Sequence, residues 1–223
     1  MSIYTIYSRP KVGKTTLALK DAKKGKTAIL SADQGLIGID TTGITVEEDM
    51  SSRNITKLLN GTFLKRHDRI IIDTATSLFT QHFLPEASGG KAASQANYGT
   101  ATNALATLLR TLRDEKGKEI IVLAQEKLIL PNEEWASEDV DEDTGVMTTV
   151  DLSPAAASVL LQMSDVIGRL YIAHSNEKVY RRLWLGPSSS IVAGARSKVY
   201  QGNPPYLKQP SITRLNQLLG WTR

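Results

Sequence analysis

Short apolar runs alternate along the chain with stretches in which apolar positions recur every three or four residues, an order that predicts strands separated by amphipathic helices. Residues 3–7 predict a first strand, the turn 8–13 follows it, and a helix runs from Lys14 to about Lys23, closed by Gly25. TAILS, residues 27–31, predicts a second strand, and Ser51 caps a helix reaching Leu59 with Ile55, Leu58 and Leu59 on one face. RIIID, residues 69–73, has the unbroken apolar run of a strand buried on both faces. A helix over about 76–84 gives way to PEASGGKAASQANYG, whose small residues predict a mobile loop. The longest helix spans about 98–116, with Ala101, Leu105, Leu108, Leu109 and Leu112 at helical spacing, and feeds the strand EIIVLA at 119–124. Residues 127–130 and 146–152 predict the two arms of a hairpin, and Pro154 opens a helix to about Ser164. VIGRLYIAH, KVYRRLWLG and SIVAGARSK predict further strands, and a short helix covers about 213–219. The expected fold is α/β: a mainly parallel twisted sheet flanked by helices, with a C-terminal β-hairpin region, all in one domain over residues 1–223.

Composition narrows the chemistry. With 223 residues, 41% hydrophobic and 22% charged, the chain has ordinary globular proportions. No stretch approaches the roughly 20 apolar residues of a membrane helix, and MSIYTIYSRP shows no secretory signal. Cysteine is absent, which excludes disulfides and thiolate catalysis and suits a reducing cytosol. His67, His82 and His174 are too scattered for a local metal-ligand pattern. The net charge of +4 is unevenly spread. Arg9, Lys11, Lys14, Lys20, Lys23, Lys24 and Lys26 face Asp21 alone, and nine cations from Arg169 to Arg223 face only Glu177. Between them Glu133, Glu134, Glu138, Asp139, Asp141, Glu142 and Asp143 form an acidic stretch. These blocks read either as solvated faces and a surface loop or as an anion-binding surface.

SRPKVGKTT, from Ser8 to Thr16, lies between a predicted strand and a predicted helix and matches the phosphate-binding pattern G-x-x-x-x-G-K-[ST] at Gly13, Lys14 and Thr15. Backbone N–H groups of Arg9, Lys11, Val12, Gly13, Lys14, Thr15 and Thr16 would curl around a phosphate, with Pro10, which has no N–H, shaping the turn. Lys14 would reach the terminal phosphates and the Thr15 hydroxyl would ligate Mg2+. Ser8 replaces the first glycine, and serine fits poorly where φ is positive. Asp73 ends a buried strand, where such folds place a metal-orienting carboxylate; with a phosphate loop beside it, this reading displaces that of a helix cap. Asp33 and Gln125 also end strands; each alone reads equally as a polar strand end or as a group that orients water or senses a phosphate.

Through YSRPKVGKTTLA, ADQGL, RIIIDTATSLF, ANYG, IIVLAQ, SDVIGRL and AGARSK, the chain resembles the RecA-like ATPase core from the phosphate loop to Lys198. It is most similar to short phage-encoded nucleotide-binding proteins of that class, including Sak-type single-strand annealing proteins. The resemblance implies ATP and Mg2+ as ligands and slow hydrolysis, with Asp33 in place of the usual catalytic Glu, one methylene shorter. It implies Gln125 as γ-phosphate sensor, and Arg196 and Lys198 as paired cations reaching a neighbouring subunit's ATP; a solvated hairpin tip is the other reading of that pair. Implied partners are single-stranded DNA, further copies in a ring or filament, and a single-strand-binding or replication protein, in the cytoplasm of a bacterial host if phage-encoded.

The residues themselves show no DNA site. The loop 85–99 carries only Lys91 as a cation with Tyr98 for stacking, and the loop 127–153 has an acidic tip that repels phosphate. Trp135 there could stack on a base or pack, and Lys178, Arg181 and Arg182 are the better electrostatic candidates. Two functions therefore stand: an ATP-dependent protein that assembles on single strands and promotes annealing, and a nucleotide-regulated, helicase-loader-like interaction module. A small-molecule kinase is a weaker third, since no arginine-rich lid or acceptor site is visible.

Overall fold

A computed structural model describes residues 2–130, 146–175 and 178–221. In chain order the elements are β1 (Ser2–Ser8), α1 (Lys14–Leu19), β2 (Thr27–Ser31), β3 (Thr45–Glu47), α2 (Ser52–Asn60), α3 (Phe63–Arg66) and β4 (Arg69–Asp73). Next come α4 (Ala75–Ser77), a π-helical turn (Leu78–Phe83), α5 (Leu84–Ser88), α6 (Gln95–Asp114) and β5 (Glu119–Ile129). The rest is β6 (Met147–Val150), α7 (Pro154–Met163), β7 (Val166–Ser175), β8 (Lys178–Trp184), β9 (Gly194–Ala195), β10 (Tyr206–Lys208) and α8 (Ile212–Leu218).

The main sheet has the order β10-β8-β7-β1-β5-β4-β2-β3. From β7 to β3 neighbouring strands are parallel, while β8 and β10 join antiparallel at one side. The apolar runs predict this position, because central parallel strands bury both faces. Alternate residues separate cleanly. Ile3, Tyr7, Ile70, Ile72, Ile120 and Val122 face one core with α2, α3, α6 and α7. Tyr4, Ile6, Ile29, Ile71, Ile121 and Leu123 face the other with Leu17, Leu207, Ile212 and Leu215. Each fully buried side chain of this size contributes about 1.5–3 kcal/mol of transfer free energy.

Several boundaries differ from expectation. Helix α1 stops at Leu19 because Arg69 Nη1 takes the Ala18 carbonyl at 3.1 Å and also binds Asp21 at 2.6 Å, while Asp21 accepts the Thr213 N–H. The stretch 85–99 is mostly helical. The helix from Thr74 onward continues through the π-turn and α5, and α6 starts at Gln95 because Ser94 and Asn97 cap it reciprocally. SIVAGARSK is no strand beyond Gly194–Ala195, since Arg196 and Ser197 turn to Asp165, Gln162 and Leu219. The hairpin is present: β5 runs past Gln125 and pairs antiparallel with β6, Lys127 opposite Thr149. The acidic stretch and Trp135 lie outside the described residues. Strands β3 and β10, of three residues each, carry no apolar run that could have announced them.

Candidate functional site

The loop between β1 and α1 stands at the carboxyl end of the parallel strands, with β4 ending and β5 passing beside it. Ser8 is the last residue of β1 and has no positive φ, so serine in place of glycine costs nothing there. Its hydroxyl donates to the Arg9 carbonyl at 2.8 Å. Lys11 (φ 63°) and Gly13 (φ 103°) make the left-handed bends that curl the loop.

Lys14 is buried, and its Nζ lies 3.2 Å from the Ser8 carbonyl, 3.3 Å from Ser8 Oγ and the Arg9 carbonyl, and 3.2 Å from Gln125 Oε1. Burial pushes the ammonium below the usual lysine range, opposed by the charges of Asp73, Asp33 and Glu126. Thr15 Oγ1 donates to Asp73 Oδ2 at 2.6 Å. Burial raises the Asp73 carboxyl to about 6, the Thr15 hydrogen bond opposing and Asp33 adding to the rise. The Asp73–Thr74 peptide bond is cis. Asp33 is exposed, and its Oδ1 accepts the Gly35 N–H at 3.0 Å. The Gln125 N–H donates to Thr76 Oγ1 at 3.0 Å, which ties the middle of β5 to α4.

These groups line one cleft of about 450 Å³: Pro10, Lys11, Gly13, Lys14, Thr15, Thr16, Asp33, Asp73 and Gln125 all border it. Thr15 Oγ1 and Asp73 Oδ2 are adjoining hard oxygen donors, the set that suits Mg2+ while leaving positions for water and phosphate oxygens. A buried ammonium and a loop of backbone bent at two left-handed residues suit a polyphosphate. The residues present therefore fit a Mg-bound nucleotide.

Four expected residues, Arg9, Val12, Arg196 and Lys198, are not among those that border the cleft. Arg9 turns its guanidinium away to Glu126, Nε to Oε1 at 3.3 Å, and only its carbonyl serves Lys14. The Val12 carbonyl faces Arg181. Arg196 donates to the Gln162 carbonyl at 2.9 Å and pairs with Asp165 at 3.4 Å, and neither it nor the exposed Lys198 borders this chain's cleft. Of the cations that stood as nucleic-acid candidates, Arg182 packs over the Tyr206 ring at 4.5 Å, and Arg181 reaches the phosphate loop.

Glu126 also belongs to the surroundings of the site, although the sequence does not mark it. Its carboxylate is only 3% exposed and is gripped by Arg169 (Nε–Oε2 2.8 Å, Nη2–Oε1 3.1 Å) as well as Arg9. It links loop, β5 and β7 directly after Gln125. The only local signal was a charge next to a strand-end Gln. Its partners lie 117 and 43 residues away, beyond any local pattern.

No curated protein matches the sequence. Among solved structures, a KaiC-like protein from the archaeon Pyrococcus horikoshii superposes with a TM-score of 0.50 at 10% identity, covering 82% of this chain and 77% of the other. The RadB recombinase gives 0.48 at 15% identity (82% and 79%), and the flagellar accessory protein FlaH from Methanocaldococcus jannaschii 0.47 at 12% (82% and 76%). The strand order and the first of these likenesses make the fold a RecA-like P-loop NTPase fold. The family model described as AAA domain matches residues 2–197, a span that takes in every residue bordering the cleft, and the chain belongs to that family.

Proposed function

We propose that this chain is a Mg-dependent ATPase that assembles on single-stranded DNA and promotes strand annealing in phage recombination, acting as one domain over residues 1–223 in a bacterial host's cytoplasm. The observation that carries the ATPase reading is the 2.6 Å contact between Thr15 and Asp73 beside the buried Lys14. Lys14 balances phosphate charge, and Thr15 and Asp73 hold the metal. Bound Mg2+ would neutralise charge developing on the phosphates. Asp33, exposed on the same cleft, orients or deprotonates the attacking water, and its short side chain favours slow turnover. Gln125 accepts from Lys14 and lies on the strand that continues into the β5–β6 hairpin, which supports a sensor role. Arg196 and Lys198 stand away from their own cleft, in keeping with cations offered to a neighbouring copy in a ring or filament.

The DNA reading draws on Lys91 and the 41% exposed Tyr98 at the start of α6, and on the resemblance. One observation favours the second reading, a nucleotide-regulated protein-interaction module: the seven carboxylates of the stretch from Glu133 to Asp143 repel a phosphate backbone. ATPase rate with and without single-stranded DNA at two salt concentrations separates them. Stimulation that fades with salt and disappears in Lys14→Ala supports annealing; ATPase indifferent to DNA, without salt-sensitive binding, supports the module. Lys14→Ala lowers nucleotide affinity about 100-fold, measured by calorimetric titration. Unimpaired binding overturns the ATPase assignment.

A further inference from the structure

Arg181 lies on β8, opposite Ile172 of β7, yet its guanidinium rests on the phosphate loop. Nε donates to the Val12 carbonyl at 2.8 Å. A Cβ added to Gly13 would meet Nε at 2.8 Å, Cζ at 3.2 Å and Nη2 at 3.3 Å, so the guanidinium occupies the space that glycine leaves open. Among the described residues its Nη groups have no hydrogen-bond or ion-pair partner, and no carboxylate neutralises it. The side chain is exposed, so its remaining N–H groups are open to a ligand.

Two cavities meet at this residue. One is the cleft of Lys14, Thr15 and Asp73. The other, of about 370 Å³, is lined by Thr16, Leu17, Lys20, Tyr180, Gln209 and Pro210. Gly13, Thr16 and Arg181 border both. Each volume falls within the roughly 300–1,000 Å³ of small-ligand cavities. A ligand long enough to run from one into the other passes the guanidinium, and planar guanidinium N–H groups pair well with phosphate oxygens.

We propose that Arg181 is a nucleotide-binding residue supplied in cis, holding the phosphate chain of a ligand that spans both cavities. The assignment rests on the nucleotide-binding reading of the cleft. It differs from the proposed roles of Arg196 and Lys198, which require a second subunit.

The test is calorimetric titration of wild type, Arg181→Gln, Arg181→Lys and Lys14→Ala with Mg plus a non-hydrolysable ATP analogue, and with Mg plus inorganic tripolyphosphate, at two salt concentrations. Thermal melts first show that each variant is folded. Arg181→Gln is expected to weaken both probes about tenfold or more and to make binding less sensitive to salt, and Arg181→Lys to recover part of the loss. Wild-type affinity in Arg181→Gln, with binding lost in Lys14→Ala, overturns the proposal and leaves the nucleotide site standing. Weaker binding with unchanged salt sensitivity also overturns it, because the guanidinium then only props Val12. No binding of either probe by wild type overturns both readings.

Discussion

Asp73 shows how a single buried group trades stability for chemistry. Its carboxyl moves from 3.8 to about 6 on folding, chiefly through burial. The folded state therefore binds more protons than the unfolded chain between those values. The stabilisation that protonation provides is complete below about pH 3.8 and is lost as pH rises through about 6. In metal-free buffer Asp73→Asn is expected to stabilise the fold by about 1–3 kcal/mol at pH 8, the gain shrinking toward zero near pH 4. Thermal melts at the two pH values check this, and an equal gain at both would place the effect outside the carboxylate's charge. Lys14, Thr15 and Asp73 were legible in the sequence because loop spacing and a strand end are local patterns. Arg181 was legible only as a charge: the carbonyl it binds is 169 residues earlier, and nothing in its strand announces the crossing.

At the level of elements, the strands with unbroken apolar runs were readable, since burial on both faces leaves a strong mark. Elements held by capping or by distant side chains were not. Gln95 to Asn97 read as loop because they follow a run of small residues and glycines, whereas the helix begins there on the strength of Ser94 and Asn97. Ser94→Ala is expected to cost about 1 kcal/mol in urea denaturation. A loss within a few tenths of that for an uncapped surface site would mean α6 is held by packing alone. Strand β5 is the element on which site and periphery meet. Gln125 faces Lys14, Glu126 is clamped by Arg169 and Arg9, and Lys127 onward pairs with β6. Glu126→Ala leaves Arg169 half-buried without its acceptor and should cost roughly 1–3 kcal/mol by the same denaturation measurement.

For the whole molecule, the separation of Arg196 from its own cleft makes a prediction that single variants cannot test. Arg196→Ala should bind nucleotide normally and turn over on the order of 10³-fold more slowly. Lys14→Ala lacks a working cleft but keeps its Arg196. If the cation acts between copies, mixing the two inactive variants restores part of the ATPase rate, and a mixture as inactive as its components excludes action in trans. The shape of the sheet bears on how copies could meet. Its main path ends in β3 on one side and β10 on the other, three residues each. At β3 and β10 themselves, strands so brief offer a foreign strand little backbone to extend. Association of copies through side chains and loops rather than through these rims would leave the amide-I band of the isolated protein unchanged.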